Sequence, residues 1–348
     1  MLNFVSNLYR TAASTFVAQQ VKFREDRIAL RNEKCRSIVL IPPKPTGKVC
    51  LFFHGFTAAP YQFRSIAQTF YQAGYTVLAP LSPGHGLAGD WNKTNPPPLP
   101  SDPAVYKNFA REWLKNAKNF GNEIIVGGLS GGGALAGWLA IEHAAEIQRA
   151  LLFAPYLSNS SLVIDLIVQH FDFYSEWKEN PLVTERIGYT GFRTSAIKAF
   201  RTIGQEVLTL AKTKPTPPML ILSTELDTAV NNPDHRDLYD AIAPRQPLSW
   251  YYCFDRALNI PHAMMVKEEG TQWENLLNVM VKAYVQSQLT WAEVEEIAYR
   301  MTEGKTFPRV VQELGLASKA SPDMPAMMTM VNKREIVDRR NDHLRDFS

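Results

Sequence analysis

Cysteine is scarce in this sequence and neither charge sign is in excess. Cys35, Cys50 and Cys253 are odd in number and far apart, so they make neither a disulfide framework nor a Cys-x-x-Cys zinc pattern. Cys50 and Cys253 sit in apolar, strand-like runs that suit a buried reduced thiol, and reduced thiols fit a cytoplasmic location. The formal charge of +3 over 348 residues, with no dense Lys/Arg run, argues against a nucleic-acid partner. No apolar run reaches the ~18 residues a membrane span needs, so no transmembrane segment is expected. Met1 to Gln20 also lacks the basic-then-apolar build of a secretory signal. There Leu2, Val5, Leu8, Tyr9, Phe16 and Val17 recur near helical spacing. That stripe is expected to pack on its own domain, with peripheral membrane contact as the alternative.

What is present is ordinary globular material, 45% hydrophobic and 20% charged, in which short apolar runs alternate with longer amphipathic ones. This rhythm predicts an α/β fold, a mostly parallel central sheet flanked by helices. Strands are expected at Arg36 to Ile41, Lys48 to Phe53, Tyr75 to Ala79, Glu123 to Gly127, Arg149 to Ala154, Met219 to Ser223 and Leu248 to Phe254. Helices are expected at Tyr61 to Ala73, Ala104 to Phe120, Gly131 to Ala145, Thr194 to Ala211, Asp234 to Ala243 and Lys267 to Gln288. Gly74 suits a helix C′ position, and the proline-dense stretch from Pro80 to Pro103 must be a long loop. The division that follows is an N-terminal helical extension (1–35), an α/β domain (36–289) and a C-terminal helical extension (290–348). Within the middle unit, about 157–190 breaks the rhythm with Phe, Tyr, Trp and Leu and no strand at the expected interval. It reads as a cap over a lipophilic pocket or as filler between helices.

One short pattern carries chemistry. Gly128-Leu129-Ser130-Gly131-Gly132 is a Gly-x-Ser-x-Gly run with a strand, Ile124-Ile125-Val126, before it and a helix, Ala134 to Leu139, after it. A nucleophile elbow needs that context, and the small residues leave room for the turn. The emerging helix N-terminus favours developing negative charge. Ser130 is therefore the expected nucleophile. A serine hydroxyl needs a base held by a carboxylate, and after such an elbow the chain order is serine, acid, histidine.

His54, His85 and His143 are set aside by order or helix placement, His170 by its place in the insertion and His343 by the charged tail. His235 is expected on the surface of a helix's first turn. His262, between the last strand and the last helix, is the expected base. For the acid, Asp227 is best placed after strand Met219 to Ser223. Glu225 is the runner-up, Asp234 a helix-start residue and Asp255 a weaker third choice. The oxyanion needs preorganised N–H donors: that of Gly131, and that of Phe56 in the loop His54-Gly55-Phe56. His54 is expected to bond neighbouring loop backbone.

Together, His54-Gly55-Phe56-Thr57, Ala79-Pro80-Leu81-Ser82-Pro83-Gly84-His85-Gly86 and the Ser130 elbow resemble the carboxylesterase and monoacylglycerol lipase branch of the α/β-hydrolases. The resemblance spans roughly Lys48 to Gln288 and is weakest in the cap. It implies a Ser130, Asp227, His262 triad, a Phe56/Gly131 oxyanion hole, no cofactor or metal, and no chemical role for His85. The expected activity is hydrolysis of a small-molecule carboxylic ester with a lipophilic acyl chain through an acyl-enzyme. Amide cleavage or acyl transfer on the same fold is the first alternative. A hydrolase-fold protein that only binds a small ligand is the second. Nothing in the pattern specifies an oligomeric state.

Overall fold

A computed structural model describes residues 15–178 and 183–338. Its centre is set by four predominantly apolar runs, three of them opening on a single charged residue and the fourth closing on Ser223-Thr224. They are β2 (Lys48–Phe53), β4 (Glu123–Leu129), β5 (Arg149–Phe153) and β8 (Met219–Thr224), and nearly every residue in them is buried. Strands of this kind must be covered on both faces, which is the condition of a parallel sheet between helices. With β1 (Ile38–Leu40), β3 (Thr76–Ala79) and β9 (Trp250–Phe254) they form a seven-stranded sheet in the order β1-β3-β2-β4-β5-β8-β9. Only β1 runs antiparallel to its neighbour. In β9 burial alternates, so Cys253 is partly exposed whereas Cys35 and Cys50 are buried. The buried thiol expected at Cys253 is thus corrected.

The helices start and stop where local chemistry dictates. Helix α1 covers residues 15–25, and α2 (Arg64–Gln72) follows a 3-10 turn, Pro60–Phe63, rather than forming one helix from Tyr61. Gly74, at φ 86°, closes α2 with Tyr75 N–H on Phe70 O at 3.0 Å, the left-handed stop that favours glycine. Asp102 accepts the Ala104 N–H at 2.8 Å to begin α3 (Pro103–Lys118), with proline at the first helical position. Helix α4 (Gly131–Glu142) is buried from Gly131 to Ile141, as befits the element packed at the sheet's centre.

The insertion holds α5 (Leu162–His170) and a two-stranded antiparallel hairpin, β6 (Tyr174–Glu176) with β7 (Gly191–Arg193); the strands were not expected there. Helices α6 (Thr194–Leu210) and α7 (Asn232–Ile242) follow. The expected helix from Lys267 begins only at α8 (Glu274–Gln286), because Gly270 turns at φ 98° after a 3-10 turn at Lys267–Glu269.

After α8 come α9 (Trp291–Thr302), α10 (Phe307–Glu313) and α11 (Met324–Met327). Thr290 and Glu293 form a reciprocal capping box that starts α9. Val294, Ile297, Val310, Met324 and Met327 are buried in one core with the sheet. Trp250 Nε1–H donates to Leu289 O at 2.9 Å and Tyr252 O–H to Met330 O at 2.7 Å, tying β9 to this tail. Of the N-terminal stripe, Val17 is buried and Phe16 exposed; Leu2, Val5, Leu8 and Tyr9 lie outside the described residues. Among the described residues no helix is long and apolar enough to cross a membrane.

Candidate active site

Ser130 stands between β4 and α4 with φ 56° and ψ −118°, a conformation that costs a non-glycine residue about 1–3 kcal/mol. The surrounding backbone holds it there. Ser130 N–H donates to Phe153 O at 2.9 Å, and its carbonyl accepts Ala134 N–H and Tyr156 N–H, each at 2.9 Å. The flanking glycines let the chain close up. A Cβ on Gly128 would lie 2.0 Å from Gly132 O, and one on Gly132 would lie 2.1 Å from Phe53 O. The other non-glycine residues at positive φ among those described are Thr57, Ala154 and Asn259. Each follows the C-terminal end of a sheet strand, so the strain gathers along one rim.

The same rim carries Asp227 and His262. Asp227, just past β8, has a fully buried side chain. Its Oδ1 accepts the N–H groups of Ala229 at 2.8 Å and Val230 at 3.2 Å. Its Oδ2 accepts His262 Nδ1–H at 2.6 Å. Burial works against the Asp227 charge, but His262 and the two backbone donors outweigh it and hold the carboxyl below its ordinary range. Burial likewise opposes the imidazolium of His262, and the Asp227 and Glu269 carboxylates overcome it, so the imidazole pKa is raised. With its Nδ1–H given to Asp227, His262 has Nε2 as its basic nitrogen. Asp227 and His262 are thus joined, while Ser130 Oγ makes no hydrogen bond among the described residues. Hydrogen bonds of this kind often tighten only with substrate bound.

The rival residues have other work. Glu225 accepts the Arg256 N–H at 3.0 Å with a half-exposed side chain. Asp255 accepts the Ala257 N–H at 2.7 Å. Asp234, in the first turn of α7, bonds Ser158 Oγ and takes Asn231 Nδ2–H at 2.8 Å. His235 is corrected from surface to core. It is fully buried, its Nε2–H on Pro155 O at 2.7 Å and its Nδ1 accepting Ser223 O–H at 2.6 Å. Burial pushes its pKa down to about 4, so it is a neutral strut behind the Ser130 turn. His143 pairs with Glu146, and His343 lies outside the described residues.

The loop after β2 orients the Phe56 N–H. Gly55 O accepts Ala58 N–H at 3.1 Å and His54 Nδ1–H at 2.9 Å. A trans peptide points its N–H opposite its carbonyl, so both bonds turn the Phe56 N–H the other way. His54 Nε2 accepts Ser82 N–H at 3.0 Å. Burial, with His85 adding to it, drives the His54 pKa down to about 3. His85 donates from Nδ1 to Pro83 O and lies edge-on to Phe56. Neither the Phe56 nor the Gly131 N–H has a hydrogen-bond acceptor among the described residues. Both sit beside an aromatic wall. Phe56 is 5.0 Å from Phe192 and 5.6 Å from Phe200 between ring centroids, and a Cβ on Gly131 would meet the Phe200 ring at 2.9 Å. The insertion grips this loop directly, Trp177 Nε1–H on Thr57 Oγ1 and Tyr189 N–H on Thr57 O, each at 2.8 Å. Outward, Val163, Ile164, Leu166 and Phe171 of the insertion are exposed. No cluster of His, Cys, Asp and Glu suited to a metal ion occurs among the described residues.

The model of the alpha/beta hydrolase family matches residues 50–266. A thermostable monoacylglycerol lipase from a Bacillus species is 36% identical over 94 residues, 27% of this chain and 35% of that protein. A putative esterase/lipase of Mycoplasma pneumoniae is 28% identical over 120 residues, 34% of this chain and 40% of that protein. The alignments thus span well under half the length of these curated relatives. Among solved structures, a metagenome-derived lipolytic enzyme superposes with a TM-score of 0.60 at 18% identity, covering 74% of this chain and 98% of that one. The monoacylglycerol lipase of Paleococcus ferrophilus gives 0.56 at 13% identity, covering 70% and 95%. At these identities the structural likeness speaks for the fold.

Proposed function

The chain belongs to the alpha/beta hydrolase family, and from that premise we propose that it hydrolyses carboxylic esters with Ser130 as nucleophile, His262 as base and Asp227 as orienting acid. Ser130 Oγ bonds to the ester carbonyl carbon while its proton passes to His262 Nε2. The carbonyl π-electrons move onto oxygen, where the N–H groups of Phe56 and Gly131 receive the charge. The tetrahedral species collapses, the carbon–oxygen bond to the alcohol breaks, and His262 returns the proton to the leaving oxygen. Water then attacks the acyl-enzyme, giving its proton to His262. Collapse releases the acid and restores the Ser130 hydroxyl, so ester and water become acid and alcohol.

The observation that carries this reading is the 2.6 Å bond from His262 to a fully buried Asp227, on the rim where Ser130 is held in strained geometry. The ring wall of Phe56, Phe192 and Phe200 supports an acyl group of lipophilic character, and the lipase and esterase names of the relatives agree with it.

A fluorophosphonate probe tests the nucleophile. Wild-type protein is labelled and Ser130→Ala is not; equal labelling of both would remove Ser130 from its role. Turnover of p-nitrophenyl esters of rising chain length against aminoacyl anilides tests the substrate class. Esters are cleaved faster, and faster anilide cleavage would overturn the ester assignment.

A further inference from the structure

Gln62 and Glu269 were not among the residues singled out in the sequence, yet they join two loops of the proposed site. Gly55 N–H donates to Gln62 Oε1 at 2.8 Å. Gln62 Nε2–H reaches both oxygens of Glu269 at 2.9 Å, and Tyr61 O–H donates to Glu269 Oε1 at 2.5 Å. Gln62 and Tyr61 are buried, so these polar groups have few other partners. An amide can face Gly55 either way round. A carboxylate only accepts, so Glu269 compels the Gln62 NH2 to turn toward it and the Gln62 oxygen toward Gly55. The reverse orientation would set the NH2 group against the Gly55 N–H and leave both donors unpaired.

We propose that Glu269 is a positioning residue: it sets the Gln62 amide, which holds the His54–Gly55 peptide and so steadies the Phe56 N–H, tying that loop to the segment after His262. The inference rests on the reading of Ser130, His262 and Phe56 given above. The carboxylate also acts on the base at a distance. His262 is faced by Asp227 and Glu269, with neutral His235 near it. Glu269 is faced by Tyr61, Gln62 and His262, beside Glu268. Arg64 and Lys34 pair with Glu268 and absorb its charge. Burial raises the Glu269 pKa against the pull of its hydrogen-bond donors and His262. Where it is ionised, it favours the imidazolium.

The test compares Glu269→Gln, Glu269→Met, Gln62→Met and the Gln62→Met/Glu269→Met pair by steady-state hydrolysis of a p-nitrophenyl ester across pH. Thermal melts verify that each variant is folded. Glu269→Met and Gln62→Met each lower kcat about ten- to hundredfold with KM little changed, the scale expected when a reacting group is displaced from afar. The pair loses no more than the worse single variant, because the two residues act as one chain. Glu269→Gln keeps an acceptor for Tyr61 and Gln62 and most of kcat. Its acid limb moves to lower pH, because a negative charge near His262 is gone.

Wild-type kcat in Glu269→Met, additive losses in the pair, or an unmoved limb in Glu269→Gln would each overturn the proposal. If Glu269→Met does not fold, the kcat loss in Gln62→Met and the limb shift in Glu269→Gln are both required. Failure of the underlying reading looks different: Ser130→Ala would then retain hydrolysis, whatever the Gln62 and Glu269 variants do.

Discussion

Asp227→Asn changes one atom and is expected to reverse the polarity of the His262 ring. The Asp227 Oδ1 position accepts Ala229 N–H at 2.8 Å and Val230 N–H at 3.2 Å, and only an oxygen can sit there. The new NH2 group must therefore occupy the Oδ2 position, 2.6 Å from His262 Nδ1, where it donates instead of accepting. Flipping the amide would set it against two backbone donors, at about 1–3 kcal/mol for each left unsatisfied. The side chain is fully buried, so water cannot mend the mismatch. Nδ1 then has to accept and the proton moves to Nε2, the nitrogen that should take it from Ser130. Loss of the right tautomer in a triad of this kind lowers kcat about ten-thousandfold, or about 5.5 kcal/mol of barrier. The assay is kcat on p-nitrophenyl butyrate, with the rate of fluorophosphonate labelling as a second measure and a thermal melt for folding. Activity within about tenfold of wild type in Asp227→Asn, or an equal loss in Glu225→Gln, would refute the reasoning.

Three further outcomes are expected. The kcat/KM of an uncharged ester rises with pH as His262 loses its proton. Because the Asp227 and Glu269 carboxylates overcome the opposing effect of burial, the midpoint lies above the ordinary imidazole value of 6.5; a midpoint below it would contradict the assigned base. Gly132→Ala sets a Cβ 2.1 Å from Phe53 O and 2.4 Å from His54 O. It costs about 1–3 kcal/mol in a denaturant melt and lowers kcat with it. Gly137→Ala, whose Cβ meets nothing nearer than 3.5 Å, is neutral or stabilising by up to about 1 kcal/mol, and equal costs at both positions would discredit the close-approach argument. Arg201→Ala removes the guanidinium that bonds both oxygens of Asp165, at 2.8 and 2.5 Å, under α5. Amide exchange in α5 should quicken, and unchanged exchange would show that this pair does not pin the insertion.

Ser130, Asp227 and His262, the residues proposed for catalysis, are each announced in the sequence by something local: a glycine-framed turn between a buried strand and a helix, and loops that follow identifiable strands. The parallel sheet is legible for the same reason, since β2, β4, β5 and β8 each hold a continuous apolar stretch, with too few polar residues at its ends to set up an alternation. His235 was not, because the first turn of a helix reads as surface unless one knows that Ser223 and Pro155 lie opposite. Gln62 and Glu269 are 207 residues apart, and no periodicity links two polar residues at that range. The hairpin of β6 and β7 was missed because strands of three residues leave almost no alternation to read. At Gly270 a single left-handed residue delays the start of α8, a local signal that the sequence does carry.

Gly128 and Gly132 interlock, each without room for a single added carbon before it meets backbone. Side chains can yield by turning about their bonds; carbonyl groups held in a sheet and a helix cannot. Random drift in the sequence therefore has little freedom at the turn that presents Ser130. Any retuning of the chemistry in descendants of this chain must come from residues that surround it, such as Phe192 and Phe200, where one ring can be exchanged for another shape. The centre of the site is a fixed part, and the adjustable parts stand around it.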